Sequence, residues 1–349
     1  MIYWILLVAI ILFLRNKILH IPEGIQRESL EDKYCRLVWT IIVLLAALRS
    51  NMVGADTYSY MSDYMSMPSY DSFHDLDERY EGYLGYYYTS KVFSMMHIPV
   101  QVWFGFIETL YAYALYKLTK KYSKDKLLSI LVFVTSGLFM FSMAGLKQVM
   151  SMALMLLSFL FFLDKKYKKM LLCVLAAYSC HSVGLILLAV FPLYFLRRKK
   201  YFILMVVITG VISYVYGYVF MSTMVDILGE EHFTAYLEND NSYSSVTLIY
   251  YCSILGLSLL GYKFYKESDS NMAKFILGMS VLVCTMQSLA GLSPNMFRLA
   301  LCYAPFLMIM LPNASYYYRN KHLGWIIIGC IVFYFLYVNR NYSYSFSFS

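Results

Sequence analysis

Three basic residues hold the most chemical information in this chain: Arg49, Lys147 and Arg298. Most of the other Lys and Arg fall in every second linker between long apolar runs, as expected of cytoplasmic linkers. These three stand alone at the opposite ends of the runs. Lys147 and Arg298 each open an apolar stretch, where the free N–H groups and dipole of a helix start already favour an anion. A cation placed there is unfavourable for the helix alone. It becomes reasonable when a phosphate lies between the charge and the helix end. Three such cations suit a diphosphate better than a carboxylate, although one such Arg by itself could equally snorkel to lipid headgroups.

The residues around these cations carry further chemistry. Arg49 leads into Arg49-Ser-Asn-Met-Val-Gly54-Ala-Asp56-Thr-Tyr-Ser-Tyr60, where Gly54 permits a turn and Asp56 can pair with or orient Arg49. Glu78-Arg79-Tyr80-Glu81-Gly82-Tyr83 sets a carboxylate among aromatic rings, a combination that suits sugar hydroxyls and sugar C–H faces. Gln148 follows Lys147 directly. His181 lies in an apolar stretch and could act as a general base or hydrogen-bond a phosphate. The Tyr86-Tyr87-Tyr88 and Tyr316-Tyr317-Tyr318 runs lie near membrane interfaces, where tyrosine is ordinary. There is no phosphate-binding Gly-rich loop with Lys-Ser/Thr, no zinc signature and no nucleophile elbow. The cysteines show no metal-site spacing and imply no disulfide framework.

The elements that must position these residues are membrane helices. The chain has 349 residues, 60% hydrophobic and 14% charged, whereas soluble domains carry about 25% charged residues. Apolar runs near the length of a bilayer crossing recur throughout. They are continuous rather than alternating, which excludes a β-barrel. The reading is an all-α polytopic integral membrane protein with about 11–13 transmembrane or re-entrant helices in one transmembrane domain spanning 1–349. Basic cytoplasmic linkers account for the net charge of +8, so nucleic acid is not called for.

The positive-inside rule then fixes the topology. Arg15, Lys17, Arg27, Lys33 and Arg36 place the first linker in the cytoplasm and the N-terminus outside. The first apolar run lacks the basic leader and cleavage site of a signal peptide and reads as a short first span. Residues 49–98 and 221–245 become outer loops, both rich in acid. Residues 170–196 are mostly apolar with strongly basic flanks on both sides. Two half-crossings of about 12 residues, roughly 18 Å each, keep both flanks inside. This predicts a re-entrant hairpin with His181 at its apex, facing protein or a wet cavity. One long tilted span is the alternative. The tail 339–349 alternates Tyr or Phe with Ser and is assigned no structure.

Taken in order, these residues resemble the EpsG family of Wzy-like exopolysaccharide and O-antigen polymerases. The resemblance rests on Arg49…Gly54-x-Asp56…Tyr60, Glu81-Gly82-Tyr83, Lys147-Gln148, His181-Ser182 and Arg298, and covers essentially the whole chain. The family usually has Arg where this chain has Lys147, which keeps the charge and loses the bidentate fork.

The resemblance implies a GT-C-like polymerase architecture and a metal-independent glycosyltransferase without cofactor. Its donor and acceptor would be glycans linked to polyprenyl diphosphate, joined on the outer face of the bacterial inner membrane, for O-antigen, capsule or exopolysaccharide. The lipid bilayer and a chain-length regulator would be its other partners. Arg49, Lys147 and Arg298 would bind diphosphate. His181 or Asp56 would serve as the base. Glu81, Tyr60, Tyr83 and Gln148 would hold sugar. The alternatives are a transporter or flippase of lipid-linked oligosaccharide, an O-antigen-ligase-like transferase, and a membrane acyltransferase using His181.

Overall fold

The computed structural model describes residues 2–70, 75–76, 83–228, 245–268, 270–291, 294–318, 321–340 and 344–347. The described residues are 84% helical and contain no strand beyond one isolated bridge. It divides into two units, Met1–Val190 with Phe335–Ser349, and Phe191–Tyr334.

The first unit contains α1 (Ile2–Leu19), α2 (Ile25–Ala47), α3 (Thr57–Ser66), α4 (Leu84–Met95), α5 (Val100–Tyr122), α6 (Lys126–Thr135), α7 (Leu138–Ala144), α8 (Leu146–Leu163), α9 (Tyr167–Cys180) and α10 (Val183–Leu187). Its centre is α8, buried along most of its length through Val149, Met152, Ala153, Leu156 and Phe159. Helix α9 returns beside α8: the Ser158 hydroxyl donates to Met170 O at 3.1 Å and that of Ser151 to His181 O at 3.4 Å. Helix α5 packs on α8 and α2. Gly137, at φ 84°, separates α6 from α7, which bend by 58°. Gly145 separates α7 from α8.

At one end of this unit, acids and bases are paired across helices. Arg15 meets Asp125 at 2.7 Å, Lys126 meets Glu31 at 3.3 Å and Asp32 at 2.6 Å, and Lys120 meets Asp32 at 2.6 Å. Asp125 also caps α6 by accepting from Leu128 N at 2.9 Å. Burial works against the Asp32 carboxylate, yet hydrogen bonds from Lys120 and Lys126 outweigh it and hold its pKa below the usual value. Glu31 goes the other way: burial raises its pKa more than Lys126 lowers it.

The second unit contains α12 (Phe202–Leu228), α13 (Ser245–Ser268), α14 (Ser270–Ser288), α15 (Pro294–Tyr303) and α16 (Leu307–Tyr316). Helix α11 (Val190–Leu196) precedes them, and α17 (Lys321–Val338) follows. Within the second unit α13 packs on α14 and α16. Tyr250 stacks on Tyr334 at 4.2 Å, and the Tyr318 hydroxyl donates to Leu257 O at 2.7 Å.

Among the described residues, four helices are long and apolar enough to cross a membrane: Ile2–Leu19, Leu146–Leu163, Val246–Glu267 and Phe297–Tyr316. The bent pair α6–α7 makes a fifth if it is one span, and Val183–Leu196, Phe202–Ile212 and His322–Val338 are shorter apolar helices. The molecule is an all-α polytopic membrane protein. The α2 helix continues into its charged first turns, and the run after α9 is broken into short helices.

Three segments carry structure that the sequence reading did not assign. Residues 49–98 include the packed helices α3 and α4. Helix α12 extends to Leu228, so 221–245 is helix at its start, and 229–244 lie outside the described residues. In the tail, Tyr344 is buried and Phe346 pairs with Arg49 in an antiparallel bridge. A low-complexity alternation takes on structure here because the exit of α2 offers it a backbone edge.

Candidate functional site

Arg49 follows the C-terminus of α2 and lies beside the C-terminus of α7. The last carbonyls of a helix lack intrahelical partners and form the negative end of its dipole. Arg49 uses that twice. Its guanidinium donates to Ala46 O in α2 and, at 3.0 Å, to Met143 O in α7. Its Nε points to Thr57 Oγ1 at 3.4 Å, and the cation lies 4.2 Å from the centre of the Phe104 ring. Only 1% of the residue is exposed. Gly54 closes the loop above this socket at φ 95°, where a Cβ would meet Met143 O at 2.8 Å.

Lys147 is set in the opposite way. It is the second residue of α8, at the positive end of a helix dipole. Its ammonium donates to the Tyr87 hydroxyl at 2.6 Å. The rings of Tyr87, Tyr83 and Tyr60 lie 4.7, 5.1 and 5.9 Å from it. Three aromatic faces around one ammonium form a cation–π cage. The carboxylates of Asp63 and Asp56 act on it through space. Asp56 is half-buried at the start of α3, with no side-chain capping bond. Tyr60 and Asp63 lie one and two turns further along α3, so all three share a face.

His181 joins this cage. It ends α9 in an extended conformation, and its ring stacks on Tyr83 at 4.8 Å with 25° between the planes. Val183 N–H donates to Nδ1 at 3.1 Å. In the neutral ring that arrangement puts the proton on Nε2. Two backbone features hold the stack. Tyr83 turns into α4 at φ 56°, a left-handed conformation that costs a bulky residue energy and gathers at functional sites. Gly85 lets α4 approach α9, since a Cβ there would lie 2.2 Å from Ser179 Oγ.

The sequence profile of the EpsG family matches residues 32–348. The chain belongs to the EpsG family. EpsG is a Wzy-like polysaccharide polymerase family, which makes this a glycosyl-transferring, polymerase-type membrane protein. No curated protein and no solved structure matches it.

In this EpsG-family protein the structure brings together Lys147, Tyr60, Tyr83, His181 and, through space, Asp56. Gln148 is buried at 3% exposure. Arg298 belongs to the second unit, on α15, where its carbonyl accepts from Cys302 Sγ at 3.2 Å and its side chain is exposed. Glu81 lies outside the described residues. Among the described residues no group of three or more His, Cys, Asp or Glu is placed to hold a metal ion.

Three residues of the region were not singled out from sequence. Tyr87 was hidden in an aromatic run that reads as an interface belt. Asp63 was one acid among several in 49–98. Glu108 is 2% exposed in α5, accepts from Ser142 Oγ at 3.2 Å and acts on Arg49 through space. An acid in the middle of an apolar run was its visible signal.

Proposed function

We propose that this EpsG-family protein polymerises oligosaccharide repeat units carried on polyprenyl diphosphate, by glycosyl transfer on the outer face of the bacterial inner membrane. The observation that carries this reading is the Lys147 cage. A lysine at a helix N-terminus, ringed by Tyr60, Tyr83 and Tyr87 and flanked by His181, offers cation, amide donors and sugar-stacking faces in one place.

In the reaction, a hydroxyl oxygen of the acceptor sugar bonds to the anomeric carbon of the donor glycan. The bond from that carbon to the diphosphate oxygen breaks, and polyprenyl diphosphate leaves. Lys147 and the first N–H groups of α8 stabilise the charge that grows on the leaving oxygen. His181 donates from Nε2 to the same group or to a sugar oxygen. The carboxylate of Asp56 or of Asp63 accepts the hydroxyl proton. Tyr60 and Tyr83 face sugar rings, with Gln148 beside Lys147. Arg49 serves the same site from beneath, since its donors already hold Ala46 O, Met143 O and Thr57.

The charge pattern supports the outer face. Lys33, Arg36, Lys120, Lys121 and Lys124 lie toward the paired-charge end of the first unit, and a cytoplasmic assignment of that end puts Lys147 outside. It also puts the α9–α10 break at His181 on the outer side, as a re-entrant segment would. A chain-length regulator would meet the product there.

Purified protein incubated with one lipid-linked repeat unit tests the reading. Wild type should yield a ladder of lengths, and Lys147→Ala should leave single units on the lipid. A normal ladder from the variant would remove the cage from the reaction.

A further inference from the structure

We infer that the terminal segment Tyr344–Ser347 is a strap that positions the Arg49 loop, and through it the Lys147 site. The inference deepens the polymerase reading and rests on it for its activity measurements.

The segment pairs with the exit of α2 across Arg49. Ser50 N donates to Ser345 O at 2.9 Å, and Ser347 N donates to Leu48 O at 2.8 Å. Arg49 and Phe346 face each other between these two bonds. The Ser50 and Ser345 hydroxyls meet at 2.5 Å, and the Tyr344 hydroxyl donates to Leu45 O. The alternating sequence explains why this segment can do so. In an extended chain successive side chains take opposite sides. The aromatic side packs on α1: Tyr344 lies 5.3 Å from Tyr3 and 5.5 Å from Trp4, and Phe346 lies 5.1 Å from Tyr3.

The strap supplies donors to Leu45 and Leu48 carbonyls at the end of α2, while Arg49 itself takes Ala46 O. A slip of one residue in the strap would turn its aromatic side chains away from α1 and break the bonds to Ser50 and Leu48. Correct pairing therefore holds the backbone on both sides of Arg49, and Arg49 ties the 49–57 loop to α7, immediately before Lys147 in α8. Tyr344 and the Ser347 amide are positioning groups: they reach the reaction only through Arg49.

The test separates the amide from the side chain. Ser347 is exposed, so Ser347→Ala keeps every strap bond, whereas Ser347→Pro removes the one N–H that reaches Leu48. The proline variant should extend lipid-linked repeat units about tenfold more slowly or worse, while the alanine variant matches wild type. Equal rates in the two variants would overturn the inference. A second arm holds whether or not the proline variant folds. Ser50→Cys/Ser345→Cys, with the native cysteines replaced, should cross-link under mild oxidation and keep full activity. Absence of the cross-link would overturn the placement. A cross-link that stops activity until reduced would also overturn it, because the strap would then have to open during turnover. A wild-type protein that extends nothing would refute the polymerase reading alone, since the cross-link still decides whether the strap is in place.

Discussion

Arg49 and Lys147 lie in the same unit, reached through the same loop, and the protein treats their charges in opposite ways. Arg49 sits where two helices end, so carbonyls and two negative dipole ends neutralise it, and 1% of it is exposed. Lys147 sits where one helix begins, against a positive dipole end, and is offset by three tyrosine rings and two acids. A cation that the fold has already neutralised holds structure. On the proposed function, a cation that the fold has left against a dipole and wrapped in rings meets the anionic leaving group. The paired charges around Asp32 are a third case, in which side chains alone balance the charge.

Substitutions can break this comparison, and the largest effect belongs to Arg49. Arg49→Ala leaves Ala46 O without its Arg49 donor and Met143 O with only the Thr57 hydroxyl, and should cost about 3–5 kcal/mol of stability. Thermal unfolding in detergent reads this. A variant as stable as wild type would mean that the socket is not structural. Lys147→Ala should instead unfold like wild type while glycosyl transfer falls by about 10²–10³-fold. A large stability loss in that variant would erase the distinction between the two cations. His181→Ala removes one donor to a charged group, so transfer should fall by about 10–100-fold. A loss equal to that of Lys147→Ala would make His181 as central as the lysine.

The smallest effect belongs to the paired end. The pKa of Asp32 is depressed in the folded protein, so its contribution is complete above its unfolded value of 3.8 and fades as pH falls through the folded one. The pKa of Glu31 is raised, so the folded state gains from it when it is protonated, and that gain is lost as pH rises through 4.5 and beyond. Asp32→Asn should therefore lower stability near neutrality by about 0.2–1 kcal/mol, flatten the acid-side decline and leave transfer unchanged. Unfolding midpoints from pH 3 to 7 show whether the decline flattens.

The residues of the cage were legible as types before their meeting was visible. Lys147, Tyr60, Tyr83, Asp56 and His181 come from distant segments, and charge placement alone picked out the lysine. Tyr87 was not legible because a three-tyrosine run looks the same in an interface belt as in a cage. The socket of Arg49 was not legible for a related reason. Its partners are backbone carbonyls, which any residue supplies, so nothing in the sequence records them. Helicity and the break at His181 followed from composition and flanking charge. The order in 344–347 did not, because such a segment takes its structure from the edge it pairs with rather than from its own residues.

The comparison is tested most directly by the affinity of detergent-purified protein for a short-chain polyprenyl diphosphate, measured by calorimetry on wild type, Lys147→Ala and Asp32→Asn. The account predicts that Asp32→Asn binds like wild type and that Lys147→Ala binds about tenfold or more weakly. Equal affinity in all three proteins would contradict it.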